Sequence, residues 1–250
     1  MQSSKMLVIV PTFNEAQSVP QLIISILELL PSMHILVVDD GSPDRTAEIC
    51  QRIADLDSLQ RVHVMRRAGK QGLGSAYIAG FAWGAQRGYL AMIEMDADGS
   101  HRPIDLVTMV EVFESDDSID CVIGSRWMFG GKVENWAKQR ELLSRTANLY
   151  TKFMLDLKVN DITAGFRVYR ASLLERIDFN EVVSEGYCFQ IEMTRKVVAL
   201  GAKIREVPIT FVEREFGVSK MNRNIVFEAM SRVTVWGIRR NILKLKTLGK

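Results

Sequence analysis

Two carboxylates one residue apart, Asp96 and Asp98, follow directly on the apolar run 89–93. A strand that ends there delivers both acids to its carboxyl edge. Paired acids repel unless a proton or a cation sits between them. Their hard oxygen ligands suit Mg2+ or Mn2+, ions that bridge substrate phosphates more often than they fill all-protein cages. The same pattern also describes a plain turn with two solvated acids. His101, three residues beyond Asp98, has the chemistry of a ligand or a base. Standing before Arg102-Pro103, it equally suits the start of a helix.

Two more apolar runs end in the same way. Residues 35–38 lead into Asp39-Asp40-Gly41-Ser42-Pro43-Asp44, and residues 6–10 lead into Pro11-Thr12-Phe13-Asn14-Glu15. Ligands of open α/β sheets bind outside the carboxyl ends of the strands. One acid-bearing loop there is ordinary solvation; three at equivalent positions point to a site. Arg126, Arg140, Arg145, Arg167, Arg214 and Lys220 stand among sparse polar loops. Arginine suits bidentate capture of phosphate. Singly each reads as a surface ion pair; beside an acidic metal-type site they suggest a substrate with several phosphates. The stretch 70–77 has the look of a phosphate cradle, but it lacks both the P-loop spacing and a GxGxxG after a strand.

The elements that must position these residues alternate. Strands are expected at 6–10, 35–38, 61–65, 89–95 and 120–124, with helices at 18–30, 44–53, 74–87 and 104–114 between them. The Ser-Pro-Asp turn is expected to cap the helix that starts at residue 44. This order predicts one α/β domain with a mostly parallel central sheet flanked by helices on both faces. The second half is less regular: helices at 138–155 and 190–200, a strand at 165–170, and a strand at 202–212 near an edge, because Pro208 cannot donate to a ladder. From about residue 222 to 245 runs a helical pattern with Arg223, Arg232, Arg239, Arg240, Lys244 and Lys246 against one acid, Glu228. It reads either as a basic amphipathic helix for an anionic membrane face or as a surface helix packed on the domain.

With 250 residues, one α/β domain is the leading expectation. A formal charge of +2 gives no reason to expect nucleic acid as a partner. The three cysteines, Cys50, Cys121 and Cys188, are scattered and form no CxxC, so neither a disulfide framework nor a zinc site is indicated. A reducing, cytoplasmic setting is expected. No stretch approaches the ~20 apolar residues of a membrane span.

Taken together these motifs resemble the family 2 glycosyltransferases, and within them the polyprenol-phosphate (dolichol-phosphate) mannosyltransferases. The residues that carry the resemblance are 11–15, 39–44, 72–77 and 96–101, then Gly124-Ser125-Arg126, Thr163-Ala164-Gly165-Phe166-Arg167, Glu213-Arg214 and Gly217-Val218-Ser219-Lys220. The resemblance implies a single Rossmann-like glycosyltransferase A-type domain over 1–221, followed by a basic amphipathic helix over 222–250. It implies transfer of mannose from GDP-mannose to a polyprenyl (dolichyl) phosphate with inversion. Pro11, Phe13, Glu15, Val38, Asp40, Asp96, Ala97, Arg214 and Lys220 would bind the donor. Asp96, Asp98 and Ser100 would hold Mg2+ or Mn2+; Ser125, Arg126 and Arg140 would meet the acceptor phosphate; Asp98, Arg126 and Arg214 would serve catalysis. The lipid acceptor implies peripheral attachment to the cytoplasmic face of a membrane, through its surface or a separate anchor protein. UDP-glucose as donor, or a nucleotide-sugar-binding subunit without turnover, are the competing expectations.

Overall fold

The computed structural model describes residues 5–182, 184, 186–214 and 223–248. Its centre is a seven-stranded sheet in which β1 (Met6–Thr12) lies between β2 (His34–Asp39) and β4 (Ala91–Glu94). Outside β2 comes β3 (Val62–Arg66). Beyond β4 come β7 (Arg167–Arg170), β5 (Cys121–Ser125) and β8 (Ile204–Pro208). All run parallel except β7, which is antiparallel to both of its neighbours. The mostly parallel sheet expected from the sequence is therefore present, with one reversed strand in its middle.

Both faces are covered because alternate side chains of each strand feed two separate cores. Val8 and Val10 of β1 point into one core with Ile23 and Ile26 of α1 (Val19–Leu29), Cys50 of α2 (Thr46–Leu56), and Leu106 and Met109 of α4 (Pro103–Glu114). Leu7 and Ile9 point into the other, with Tyr77 and Phe81 of α3 (Leu73–Ala85) and Phe189 and Met193 of α7 (Gly186–Ala199). α3 lies close on the sheet because Gly80 has no side chain: a Cβ there would meet Ile9 Cγ2 at 2.6 Å.

Three local expectations differ from the structure. The expected strand 202–212 is two strands in two sheets: β8 ends at Pro208, and β9 (Thr210–Val212) pairs with β6 (Lys132–Glu134). Pro208 has no N–H to continue the main ladder, so the chain leaves it there. β6 has only one apolar residue in three and gives no alternation to read. The helix expected from residue 44 begins as α2 at Thr46, with Arg45 in the left-handed region. Asp44 takes the capping role itself, accepting the Thr46 N–H at 3.1 Å. The helix expected from residue 190 begins at Gly186. The expected C-terminal helix is α8 (Arg223–Leu248), packed against α5 (Lys138–Leu155) where Gly237 meets Met154, with Ala229 and Val233 buried. α6 (Ala171–Leu174) is one short turn after β7.

Candidate active site

The three acid-bearing loops come together because β2, β1 and β4 are neighbours and parallel. The first two are stitched to each other. Thr12 Oγ1 donates to Asp39 at 2.9 Å, and Asp39 also accepts the N–H groups of Gly41 and Ser42. In return the loop after β1 donates three N–H groups to the loop after β2: Asn14 to Ser42 Oγ, Glu15 to Thr46 Oγ1 and Ala16 to Asp44. Asp39 is thus committed to building the loop, while Asp40 faces the stretch before α3. There it takes Arg67 Nη1 at 2.7 Å and the Gln71 N–H at 3.1 Å. Phe13 lies beside this edge with Lys70 Nζ 4.8 Å from its ring centre, and Glu15 accepts from Ser18 Oγ. Pro11 is half-buried at the end of β1. Val38 and Ala97 are buried, both side chains belonging to the cores beneath.

The acid pair stands at the end of β4. Tyr77 donates to Asp96 Oδ1 at 3.2 Å, and Arg214 Nη2 lies 3.0 Å from Asp98 Oδ2. Burial pushes the Asp96 carboxyl pKa up; His101 and Arg214 oppose that, while Asp98 adds to it. Behind them Glu94 is fully buried and pushed up to about 8, again by burial, against the pull of Arg167 and a hydrogen bond from Gln190. Asp98 is buried and Asp96 half-buried at a strand's carboxyl edge, and no group of three or more His, Cys, Asp or Glu forms a metal cage among the described residues. Two carboxylates, with their hard oxygen donors, fit a hard divalent ion better than a soft one. Ser100 is buried in the same turn, its N–H bonded to Asp98 Oδ1.

One ring nitrogen of His101 is engaged by the backbone of its own turn. Its Nδ1 accepts the Asp96 N–H at 3.0 Å, so its remaining proton sits on Nε2. The ring stacks on Phe166 at 4.6 Å and meets the edge of Phe211 at 5.4 Å. It holds the turn that presents the acids. Arg167 is no substrate group: it is fully buried and donates to the carbonyls of Ala164 and Ile162 and to Tyr169.

Next to the acid pair lies a cluster of arginines and aromatic rings. Arg126, at the end of β5, forms a buried bidentate pair with Asp161 (2.7 and 2.8 Å) and donates to Thr163 Oγ1. Burial alone would raise the Asp161 carboxyl pKa; the Arg126 charge and its hydrogen bonds outweigh that and hold it low. The guanidinium is surrounded by Trp127, Trp136 and Phe211 at 5.2, 5.8 and 5.3 Å. Arg140 pairs with Glu213 and covers Trp136 at 4.0 Å. Arg145 pairs with Glu141 and covers Trp127 at 4.3 Å. Four buried donors here have no hydrogen-bond partner among the described residues: Ser125 Oγ, Trp127 Nε1, Trp136 Nε1 and Arg214 Nε. Such donors are rare in native proteins and ask for an acceptor.

Of the site residues expected from the sequence, all but Lys220 are described, and Lys220 lies outside the described residues. Pro11, Phe13, Glu15 and Asp40 lie at the β1 and β2 ends, Asp96, Asp98 and Arg214 at the β4 end, and Ser125, Arg126 and Arg140 in the aromatic cluster. Sequence reading passed over Arg67, Asp161, Trp127, Trp136 and Phe211. Trp127 sits one residue after Arg126 and Trp136 four before Arg140, which is the only signal they gave.

Residues 7–178 match the Glycosyl transferase family 2 family. The chain belongs to that family and is a glycosyltransferase. It is 49% identical over 237 residues to the polyprenol monophosphomannose synthase of Mycolicibacterium smegmatis, covering 95% of this chain and 88% of the relative. It is 48% identical over 234 residues to the undecaprenyl-phosphate mannosyltransferase of Micrococcus luteus, covering 94% of each. The fold is shared with glucosyl-3-phosphoglycerate synthase from Mycobacterium tuberculosis, solved with Mn2+ and UDP-glucose (TM-score 0.66, 18% identity, 96% of this chain and 81% of that one). It is also shared with a mannosyltransferase from Pyrobaculum calidifontis, solved with GDP-mannose and Mn2+ (TM-score 0.60, 17% identity, 95% of this chain and 64% of that one).

Proposed function

We propose that this glycosyltransferase moves mannose from GDP-mannose to the phosphate of a membrane polyprenol. The observation that carries the reading is the near-half identity, over almost the whole chain, to two enzymes named for that acceptor class. The site supports it by its division of charge: acids at the end of β4, arginines and orphaned donors beside them.

In this reading the loops after β1 and β2 hold the nucleoside, with Asp40 fixed by Arg67 at their junction. Asp96 and Asp98 would hold Mg2+ or Mn2+, which would supply positive charge to the departing diphosphate. Ser125, Trp127 and Trp136 offer neutral donors to the acceptor phosphate, and Arg140 offers charge. That mixture suits a nucleophile that is already an anion. No base is needed to deprotonate it, and neutral donors orient it without pairing away its charge. Catalysis then rests on alignment and on lowering the repulsion between two anionic reactants. A single displacement inverts the sugar carbon, and no side chain becomes glycosylated. Arg214, bridging toward Asp98, places a second positive charge on the leaving-group side.

The test is direct. The purified protein is given Mg2+ or Mn2+, a polyprenyl phosphate in detergent and radiolabelled GDP-mannose or UDP-glucose. Label entering the organic phase from GDP-mannose, and lost in Asp98→Ala, supports the reading. Label from UDP-glucose alone replaces the donor and keeps the site. The acceptor is a lipid, so the enzyme works at a bilayer, attached by its own surface or by a membrane partner. No helix of the described residues is long and apolar enough to cross one.

A further inference from the structure

The edge of the sheet away from the acids holds a second cluster of chemistry-bearing side chains. His34 is the first residue of β2 and His63 the second of β3. The strands are parallel with Leu36 beside His63, and side chains two apart share a face, so both imidazoles lie on the α3 side of the sheet. Tyr89, in the turn between α3 and β4, closes the third side. His34 stands five residues before Asp39, roughly 16 Å along the strand from the acid-bearing edge.

Three polar atoms meet there. His34 Nδ1 is 3.3 Å from His63 Nε2 and 2.9 Å from Tyr89 Oη, and Tyr89 Oη is 3.5 Å from His63 Nε2. An imidazole nitrogen carries either a proton or a lone pair, and the phenol carries one proton. Two protonated nitrogens facing each other repel, so the three mutual contacts have too few protons to share. A cation that takes a lone pair from each atom satisfies all three at once.

The triangle also has the size that a tetrahedral ion requires. With metal–nitrogen bonds of about 2.0–2.1 Å, the ligands of tetrahedral Zn2+ stand ~3.3 Å apart. Ligands at right angles, as in square-planar Cu2+, would stand ~2.9 Å apart. Edges of 2.9, 3.3 and 3.5 Å centre on the tetrahedral value. Burial lowers both imidazole pKa values, which leaves the rings neutral and their lone pairs free at neutral pH. The rings are held in place, His63 and Tyr89 packing on Trp83 at 5.0 and 6.0 Å. The charges nearby are Arg61, Asp57 and Arg87. Arg61 is paired with Asp57 at 2.7 Å, and Arg87 lies over Trp83 at 3.9 Å. Both imidazoles are half-buried, so an ion can reach them from solvent. No group of three His, Cys, Asp or Glu stands here among the described residues; the third donor is a phenol.

We propose that His34, His63 and Tyr89 form a Zn2+ site, a clamp across β2, β3 and the turn before β4, with water as the fourth ligand. The phenol proton passes to solvent on binding. Burial raises the Tyr89 pKa, so the imidazoles carry most of the affinity and the phenolate fixes the geometry. This ion is separate in place and kind from the hard ion suited to Asp96 and Asp98.

The test uses the full chain, stripped of metal and then given excess Mg2+. It is titrated with Zn2+ against a chromophoric zinc chelator, and with Co2+ as a spectroscopic stand-in. One Zn2+ per chain should bind, the melting temperature should rise with Zn2+ concentration, and Co2+ should give the intense visible absorption of tetrahedral coordination. His34→Gln and His63→Gln should each weaken Zn2+ binding more than about tenfold, since even the loss of a residue behind a ligand costs that much. Both should abolish the Co2+ absorption, and Tyr89→Phe should weaken binding less and alter the spectrum. Melting without metal shows whether each variant folds. A weak, octahedral Co2+ spectrum in the wild type would overturn the site without any variant. Unchanged Zn2+ affinity in both histidine variants would overturn it too, as would binding that is lost only in Asp98→Ala, which would put the ion at the acids. No arm of the test needs sugar transfer, so its outcome stands apart from the proposed reaction.

Discussion

Asp98 lies between its own loop and Arg214, accepting the Ser100 N–H on one oxygen and the guanidinium on the other. Asp98→Ala removes a candidate metal ligand and frees Arg214 at once. Transfer should fall on the order of a thousandfold, as with the loss of a principal charge-stabilising group, with circular dichroism unchanged. Trp136→Phe is a finer probe, since it keeps the ring against Phe211 and Arg140 and deletes only the indole N–H. The KM for polyprenyl phosphate should rise about five- to tenfold, the worth of one neutral hydrogen bond, with the KM for GDP-mannose unmoved. An unchanged acceptor KM would remove Trp136 from the acceptor site. At this scale the acids, Ser125 and Arg214 were legible in the sequence and the two tryptophan donors were not. A carboxylate pair at the end of an apolar run announces itself by type and spacing. A tryptophan announces nothing until its N–H is found buried without a partner.

Elements carry the site through a few long-range ties, and these were the least legible part of the fold. The segment around Asp161 is joined to β5 by the buried Arg126 pair, and Glu206 of β8 accepts the N–H groups of Asn160 and Asp161. Asp161→Ala leaves the Arg126 guanidinium buried without its carboxylate. It should cost about 3–5 kcal/mol, as breaking a buried ion pair does, seen as a lowered denaturant midpoint. A loss below about 1 kcal/mol, the worth of an exposed pair, would show that the site opens to water. The strands β1, β2 and β4 were read from apolar runs ending in turn residues, because burial on both faces leaves such runs nearly continuous. β6 and β9 have three residues each and pair with each other in a separate two-stranded sheet. Their existence depends on where β8 stops, a tertiary fact that no local pattern holds. The reversed β7 looks like any other strand, since direction is set by its connections and not by its residues.

Over the whole molecule the most titratable region lies away from the acids, where β2 and β3 carry two of the three histidines. His34 Nδ1 and His63 Nε2 are 3.3 Å apart, and Tyr89 Oη is 2.9 Å from the first. Burial lowers both imidazole pKa values; Arg61 adds to this for His34, and His34 and Arg87 add to it for His63, while Asp57 opposes it for both. The unfolded chain therefore binds these protons at a higher pH than the folded one. The stability the pair contributes is complete above an ordinary histidine pKa of about 6.5 and is lost as pH falls below it. The melting temperature should decline between about pH 7 and 5, with a shallower decline in His63→Gln; equal slopes would refute this. Cys50 and Cys121 are buried thiols pushed up to about 12, mainly by burial. A thiol reagent at about pH 8 should reach them only through unfolding, so their modification rate reports global opening.

α5 carries four basic residues and one acid and α8 six and one, in a chain of formal charge +2, and such an uneven distribution gives a protein a dipole. Near an anionic surface a dipole feels a torque before it feels contact. At physiological salt that field reaches only about 8 Å, so the turning happens in the last moments of approach. A protein turned that way meets the surface helices-first in most collisions, and its rate of arrival, more than its rate of leaving, should respond to ionic strength.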